Sequence, residues 1–158
     1  MLEEPLFKSL PSKEDFYYDG DCDERYAIEW YLGKDLEYTT SRYYKYSPLS
    51  TIQDLYFIGI NAFRYYILGA CRYLQNIDTD DKYMIDDASN VYCALVDTFD
   101  TKFKSNPKEM EYIASFVKEF SKWAIKNYEF FDIDEEVYGN VKEKWKELIK
   151  KVEKFYEI

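Results

Sequence analysis

The chain has 158 residues, 47% hydrophobic and 33% charged, so it is long enough to bury a core and too apolar for a disordered segment. It contains 18 Tyr and no His, which removes the commonest general base and the commonest metal ligand among side chains. Its net charge of -10 repels nucleic acid and anionic membranes and favours a basic partner.

The N-terminal residues 1–20 carry Pro5, Pro11 and Gly20 and are predicted to form an extended arm, followed by one helical domain over residues 21–158. The N-terminus lacks the basic and then apolar pattern of a secretory signal. No apolar stretch reaches the roughly 20 residues that a membrane helix needs. We therefore expect a cytoplasmic protein that does not contact a membrane.

Two helices are predicted in the first third of the chain. The first begins at the acidic residues 21–24 and ends at Gly33, and the second begins at an Asp35 N-cap and is interrupted at Ser47–Pro48. Residues 49–59 fit either a short helix or an extended segment. The apolar face of the first helix is predicted to consist of Tyr26, Ala27, Trp30 and Tyr31.

Four longer helices are predicted in the rest of the chain, because apolar residues recur there at helical spacing. One begins at Asn61, and the next carries its apolar face from Ile85 to Phe99. A third begins at an Asn106 cap and extends to Tyr128. The last has apolar residues that alternate three and four apart, as in a coiled-coil seam, and is expected to pack on the domain. That seam is Tyr138, Val141, Trp145, Leu148, Val152 and Phe155. We expect an all-α fold of six or seven helices in a single compact domain.

The sequence contains no recognisable catalytic, cofactor or metal motif. Acidic clusters at residues 19–24, 78–81 and 132–136 resemble the start of a calcium loop, but each lacks the glycine that follows the third acidic position. The nucleophile elbow, dinucleotide and phosphate-loop patterns are absent, and no His is available to activate a nucleophile. Three scattered cysteines suggest reduced thiols. We therefore expect no catalytic residue, no cofactor and no metal.

The surplus of negative charge lies in the first two thirds of the chain. Residues 1–100 hold 19 acidic and 9 basic side chains, whereas residues 101–158 hold equal numbers. Exposed Tyr beside carboxylates suits recognition of a basic protein. The residues predicted to contact it are Tyr17, Tyr18, Asp19, Asp21, Asp23 and Glu24, followed by Asp78, Asp80 and Asp81.

Two other function classes remain open from the sequence. A phage-type DNA mimic would array its carboxylates in long rows at regular spacing and inhibit a DNA-binding protein. A small enzyme would need carboxylates that converge in a pocket with raised pKa values. The oligomeric state is open as well.

Part of the chain resembles a group of small bacterial proteins. The matching residues are Tyr31-Leu32-Gly33-Lys34-Asp35-Leu36, Gln53-Asp54-Leu55 and Ala62-Phe63-Arg64-Tyr65-Tyr66 with Tyr73-Leu74. The group is associated with the immunity proteins of toxin–immunity systems. The resemblance implies a protein that neutralises a basic toxin, and it carries over no functional residue.

Overall fold

A computed structural model of the chain describes residues 2–16, 22–78 and 80–158. Within those ranges the regular structure is entirely helical, which confirms the predicted all-α class. The α-helices are α1 (Lys13–Phe16), α2 (Cys22–Tyr31), α3 (Leu36–Lys45), α4 (Pro48–Asp54), α5 (Ile60–Gln75), α6 (Lys82–Ser105), α7 (Pro107–Lys126), α8 (Glu135–Tyr138) and α9 (Val141–Tyr156). Short 3-10 turns follow α4 at Leu55–Phe57 and α7 at Tyr128–Phe131.

Two compact units replace the single domain that the sequence suggested. The N-terminal unit is Leu6–Asn76, and the C-terminal unit is Ile77–Ile158 together with Met1–Pro5. Nine helices lie in the described ranges instead of six or seven, because α1 and α8 are four-residue helices too short to show a period in the sequence. The predicted division between an arm and a domain at residue 20 remains a prediction.

In the N-terminal unit, Tyr66 joins α5 to the end of α2. Its single hydroxyl proton is shared between the backbone carbonyls of Tyr31 and Lys34, whose oxygens lie 2.6 and 2.8 Å from the hydroxyl oxygen. Tyr31 is the last residue of α2, where carbonyls have no partner within their own helix, so the buried phenol ties α5 to that helix end. Gly33, with φ of 78°, ends α2 as predicted, and the Asp35 side chain caps α3 by accepting from the Tyr38 N–H at 2.8 Å.

The ambiguous segment around residues 49–59 is helical. Ser47 accepts a hydrogen bond from the N–H of Ser50 at 3.3 Å, and Pro48 occupies the first position of α4. The same dipeptide that interrupts α3 therefore also starts the next helix. A 3-10 turn then leads to Gly59, which precedes α5.

In the C-terminal unit, α7 and α9 pack along their lengths and α6 packs against both. Asn106 alone separates α6 from α7. Its N–H donates to the Lys102 carbonyl at 2.8 Å, and its carbonyl accepts from the Met110 N–H at 3.0 Å. The predicted side-chain cap is not formed: the Asn106 side chain makes no capping hydrogen bond, and only its backbone bonds to the two helices.

Three predicted helix details differ from the structure. Tyr128 lies in the 3-10 turn after α7. Gly139, with φ of 73°, separates Tyr138 in α8 from the start of α9, so the predicted seam is divided between two helices. Tyr26 and Phe155 are exposed although both were assigned to apolar faces. Phe155 leaves 65% of its surface open to solvent.

Candidate functional site

The loop before α6 presents three of the predicted contact residues, and its own carboxylates hold it in shape. The Asp81 side chain accepts hydrogen bonds from the backbone N–H groups of Tyr83 and Met84 at 3.0 and 3.2 Å, which caps α6. The Asp78 side chain accepts from the N–H of Asp80 at 3.0 Å. Asp78, Asp80 and Asp81 are all exposed, so their remaining lone pairs face solvent.

The start of α6 lies beside the segment that connects α7 to α9. Ser89 Oγ donates to the backbone carbonyl of Phe131 at 2.7 Å. At the next residue of α6, Asn90 Oδ1 accepts a hydrogen bond from Tyr138 OH at 2.5 Å. The first turns of α6 therefore pack against residues 131–138, which are more than 40 positions distant in the sequence.

This packing gathers ten exposed carboxylates at one end of the C-terminal unit, which we call the acidic end. It comprises residues 78–87 and 129–138, and Lys82 is the one basic side chain in those two segments. Its acidic residues are Asp78, Asp80, Asp81, Asp86, Asp87, Glu129, Asp132, Asp134, Glu135 and Glu136. Like charges at this density repel one another and project a negative field into solvent, which accelerates encounters with basic molecules.

Tyr83 stands on the acidic end as an exposed aromatic side chain. Its relative exposure is 84%, the result of its place in the first turn of α6, just after the Asp81 cap. Val137, on the neighbouring segment, is also exposed. Exposed Tyr side chains are frequent anchors of protein interfaces.

Within the acidic end, Glu135 is held in place by a buried phenol. Tyr128 OH donates a short hydrogen bond to Glu135 Oε1. Burial raises the pKa of Tyr128 to about 12, and the Glu135 carboxylate contributes to the shift. The phenol therefore keeps its proton at neutral pH and continues to donate to Glu135.

The first group of predicted contact residues is only partly described by the structure. Tyr17, Tyr18, Asp19 and Asp21 lie outside the described residues. Asp23 is exposed and Glu24 half-exposed, and both are in the first turn of α2 in the N-terminal unit, where acidic side chains favour the helix dipole. The structure thus brings Asp78, Asp80 and Asp81 together with carboxylates from residues 129–136, a combination that the sequence did not predict.

A buried arginine in the N-terminal unit was not singled out by the sequence. Arg42 is 4% exposed, and its guanidinium carbon lies 3.8 Å from the centre of the Trp30 ring and 5.1 Å from that of Tyr46. Its Nε and Nη1 atoms have no hydrogen-bond partner within the described part of the chain. Aromatic faces stabilise a desolvated cation, so these rings hold the charge inside the unit. Arg42 follows Thr39 by three residues on the buried face of α3, a spacing that could have revealed it.

Asp54, at the end of α4, lies within electrostatic reach of Arg42. Burial raises the pKa of this half-buried carboxyl, the guanidinium of Arg42 opposes the shift, and the carboxylate of Asp23 adds to it. The folded protein therefore holds the Asp54 proton more tightly than the unfolded chain does. Stability from this group is complete below the unfolded pKa and falls as pH rises through the folded pKa.

We expect Asp54→Asn to be more stable than the unchanged protein at neutral pH, since the amide never carries the disfavoured charge. The advantage should disappear below about pH 4, where Asp54 is protonated in both states. Urea unfolding midpoints of Asp54→Asn and of the unchanged protein, measured from neutral pH to below about pH 4, should converge as the pH falls. Glu37→Gln, which removes an exposed carboxylate of α3, is the matched control. A lower midpoint for Asp54→Asn at neutral pH would mean that attraction to Arg42 outweighs burial.

No protein-family model, curated protein or solved structure matches this chain. The resemblance of residues 31–74 to immunity proteins therefore stays a prediction, and the site has to be interpreted from its own geometry.

Three further observations concern the described ranges. None of the helices there combines the length and apolar character that crossing a bilayer requires. No group of three or more Cys, Asp or Glu side chains in those ranges is arranged to hold a metal ion. None of the three cysteines forms a disulfide bond in the described ranges: Cys71 and Cys93 are buried, and Cys22 is exposed. Burial raises the pKa of Cys93 to about 12, which suppresses its reactivity.

Proposed function

We propose that the protein acts without catalysis, by binding a basic protein partner through the acidic end. The observation that carries the proposal is the grouping of ten exposed carboxylates on two packed segments, one of which also carries the exposed Tyr83. Such charges speed the diffusional encounter with a basic surface, and an aromatic anchor slows dissociation.

The arrangement of charge elsewhere in the C-terminal unit supports a local site. On α7 and α9, glutamates are interspersed with lysines, as in the pairs Lys122–Glu119 and Lys150–Glu147, with N–O distances of 2.8 and 3.2 Å. Surface pairs of this kind offset the negative field along the helices. A DNA mimic needs extended rows of unpaired carboxylates, so this pattern favours a protein-binding patch over that alternative.

Neutralising a basic toxin is the more specific form of the proposal. It rests on the resemblance of residues 31–74 to immunity proteins and on the charge of the acidic end. The enzyme alternative has less support, because the raised pKa of Asp54 belongs to a single carboxyl beside a cation and not to a converging acid–base pair.

The test uses the triple variant Asp78→Asn, Asp80→Asn, Asp81→Asn. Asn preserves the capping oxygen of Asp81 and removes three charges, so the fold is retained. The matched control is Glu111→Gln, Glu119→Gln, Glu147→Gln, which removes the same charge from exposed positions on α7 and α9. Both variants and the unchanged protein are titrated with a panel of purified basic nuclease domains, with lysozyme as a basic non-partner.

We expect at least one nuclease domain to bind far more tightly than lysozyme. The triple Asn variant should weaken that complex by about 10- to 100-fold, mainly through slower association, and the Gln control by less than about threefold. Raising the ionic strength should weaken the complex as well. Equal losses in the two variants, affinity independent of salt, or no binding above the lysozyme level would refute the proposal.

A further inference from the structure

An apolar cleft lies at the other end of the C-terminal unit. It has a volume of about 590 Å³ and is formed where α6 ends, α7 begins and α9 ends. Along α6, Asp100 of the cleft lies 13 residues beyond Asp87 of the acidic end, roughly 20 Å at 1.5 Å per residue. Pockets of roughly 300–1,000 Å³ are the size that small ligands occupy. Its apolar lining is Phe103, Pro107, Leu148, Val152, Phe155 and Tyr156.

The cleft walls are held by contacts between the three helices. Tyr156 OH donates to the backbone carbonyl of Pro107 at 2.5 Å, and the Tyr156 ring lies 5.8 Å from that of Phe103. Leu148 and Val152 are buried and form the floor. Phe155 forms an exposed wall, so the cleft presents apolar surface to solvent. The packing of the three helices forms the cleft without a bound ligand.

Lysines surround this apolar surface. Lys104, Lys151 and Lys154 line the cleft, and Asp100 is its single acidic lining residue. The Asp100 carboxylate is bonded to Lys104 Nζ at 2.8 Å and to Lys151 Nζ at 2.9 Å. Hydrogen bonds and charge from these lysines lower the pKa of Asp100 despite the opposing effect of its burial. The lining therefore carries a net positive charge in a chain whose total is -10.

We propose that the cleft binds a single-chain fatty acid, with the hydrocarbon chain on the apolar lining and the carboxylate among the lysines. Apolar walls and a cationic rim are complementary to a molecule with those two parts. A second copy of the chain fits poorly, because a symmetric contact at this surface would bring identical lysine groups together. The site is independent of the acidic end and goes beyond the proposed function.

Decanoate is the probe, with decanol and decyltrimethylammonium as chain-matched neutral and cationic comparisons, all below their aggregation concentrations. We expect isothermal titration of the full chain to give one decanoate per protein. Decanol should bind about tenfold more weakly, because it lacks the charge-assisted contact with lysine. The cationic amphiphile should bind more weakly than decanol.

Two substitutions at exposed positions locate the site without disturbing the core. Lys154→Gln and Phe155→Gln should each weaken decanoate binding by about five- to tenfold, through loss of charge and of apolar contact. The controls are Lys146→Gln on the exposed surface of α9 and Tyr83→Ser on the acidic end. Both should leave the affinity for decanoate unchanged. Absence of decanoate binding, equal affinity for decanol, or equal effects of site and control variants would each overturn the proposal.

Discussion

Replacing Trp145 with Ala should cost about 3–5 kcal/mol of unfolding free energy, the range for emptying a large aromatic site in a core. Trp145 is fully buried on α9. Its ring centroid lies 5.5 Å from that of Tyr92, 5.8 Å from that of Phe120 and 6.5 Å from that of Phe99. Rings from α6, α7 and α9 meet at this one side chain, so its truncation leaves a cavity that none of the three helices can fill alone. Urea unfolding followed by circular dichroism measures the loss.

Trp145→Phe is the control for the indole nitrogen. Nε1 has no hydrogen-bond partner among the residues that the structure describes. Phe therefore gives up no hydrogen bond and keeps most of the apolar contact, so its cost should be under half that of Ala. Trp123→Ala on the half-buried side of α7 should also cost less. A Trp145→Ala protein as stable as Trp123→Ala would show that this cluster is not the centre of the core.

Gly59→Ala should destabilise the protein by about 2–3 kcal/mol, because the added methyl group overpacks the N-terminal unit. A Cβ atom at this position would lie 2.5 Å from the carbonyl oxygens of Asp15 and Phe16. The Gly59 N–H also donates to the Phe16 carbonyl at 2.5 Å. These are backbone atoms, so α1 would have to move away from the start of α5. Thermal and urea unfolding measure the loss.

Gly69→Ala, inside the helix that Gly59 precedes, is the matched control. The nearest atom to its added Cβ would be Thr40 Oγ1 at 3.2 Å, on a side chain that can rotate. Replacing Gly with Ala inside a helix favours the helix by about 0.5–1 kcal/mol, which should offset the closer contact. If Gly59→Ala were tolerated as well as Gly69→Ala, the close packing of α1 on this glycine would be disproved.

Local sequence patterns predicted the helices well where a helix is long and its apolar face is regular. The stripe after Asn61 identified α5, and the Gly33 stop and the Asp35 cap were both correct. The patterns failed where a helix is shorter than two turns, as in α8, or where one glycine divides a continuous seam, as Gly139 does. The division into two units depends on packing between distant residues and leaves no local signal.

The acidic end was predictable only in part, because sequence patterns identify local groups of charge and do not show which distant segments pack together. Charge identified Asp78, Asp80 and Asp81, and the structure places them on the surface. Their association with residues 129–136 depends on hydrogen bonds such as Ser89 to Phe131, which join positions 42 apart and follow from no local pattern. Arg42 was missed because a charged residue on a buried face is assumed to reach solvent, whereas here the Trp30 ring covers it.

The most direct test of the acidic end is a hydrogen-exchange footprint of the complex with the basic nuclease domain that binds most tightly. We expect amide protection on binding to concentrate in residues 78–90 and 129–138. Protection that is confined to the lysine-lined cleft or to the N-terminal unit, or a panel in which no nuclease domain binds above the lysozyme level, would contradict the account.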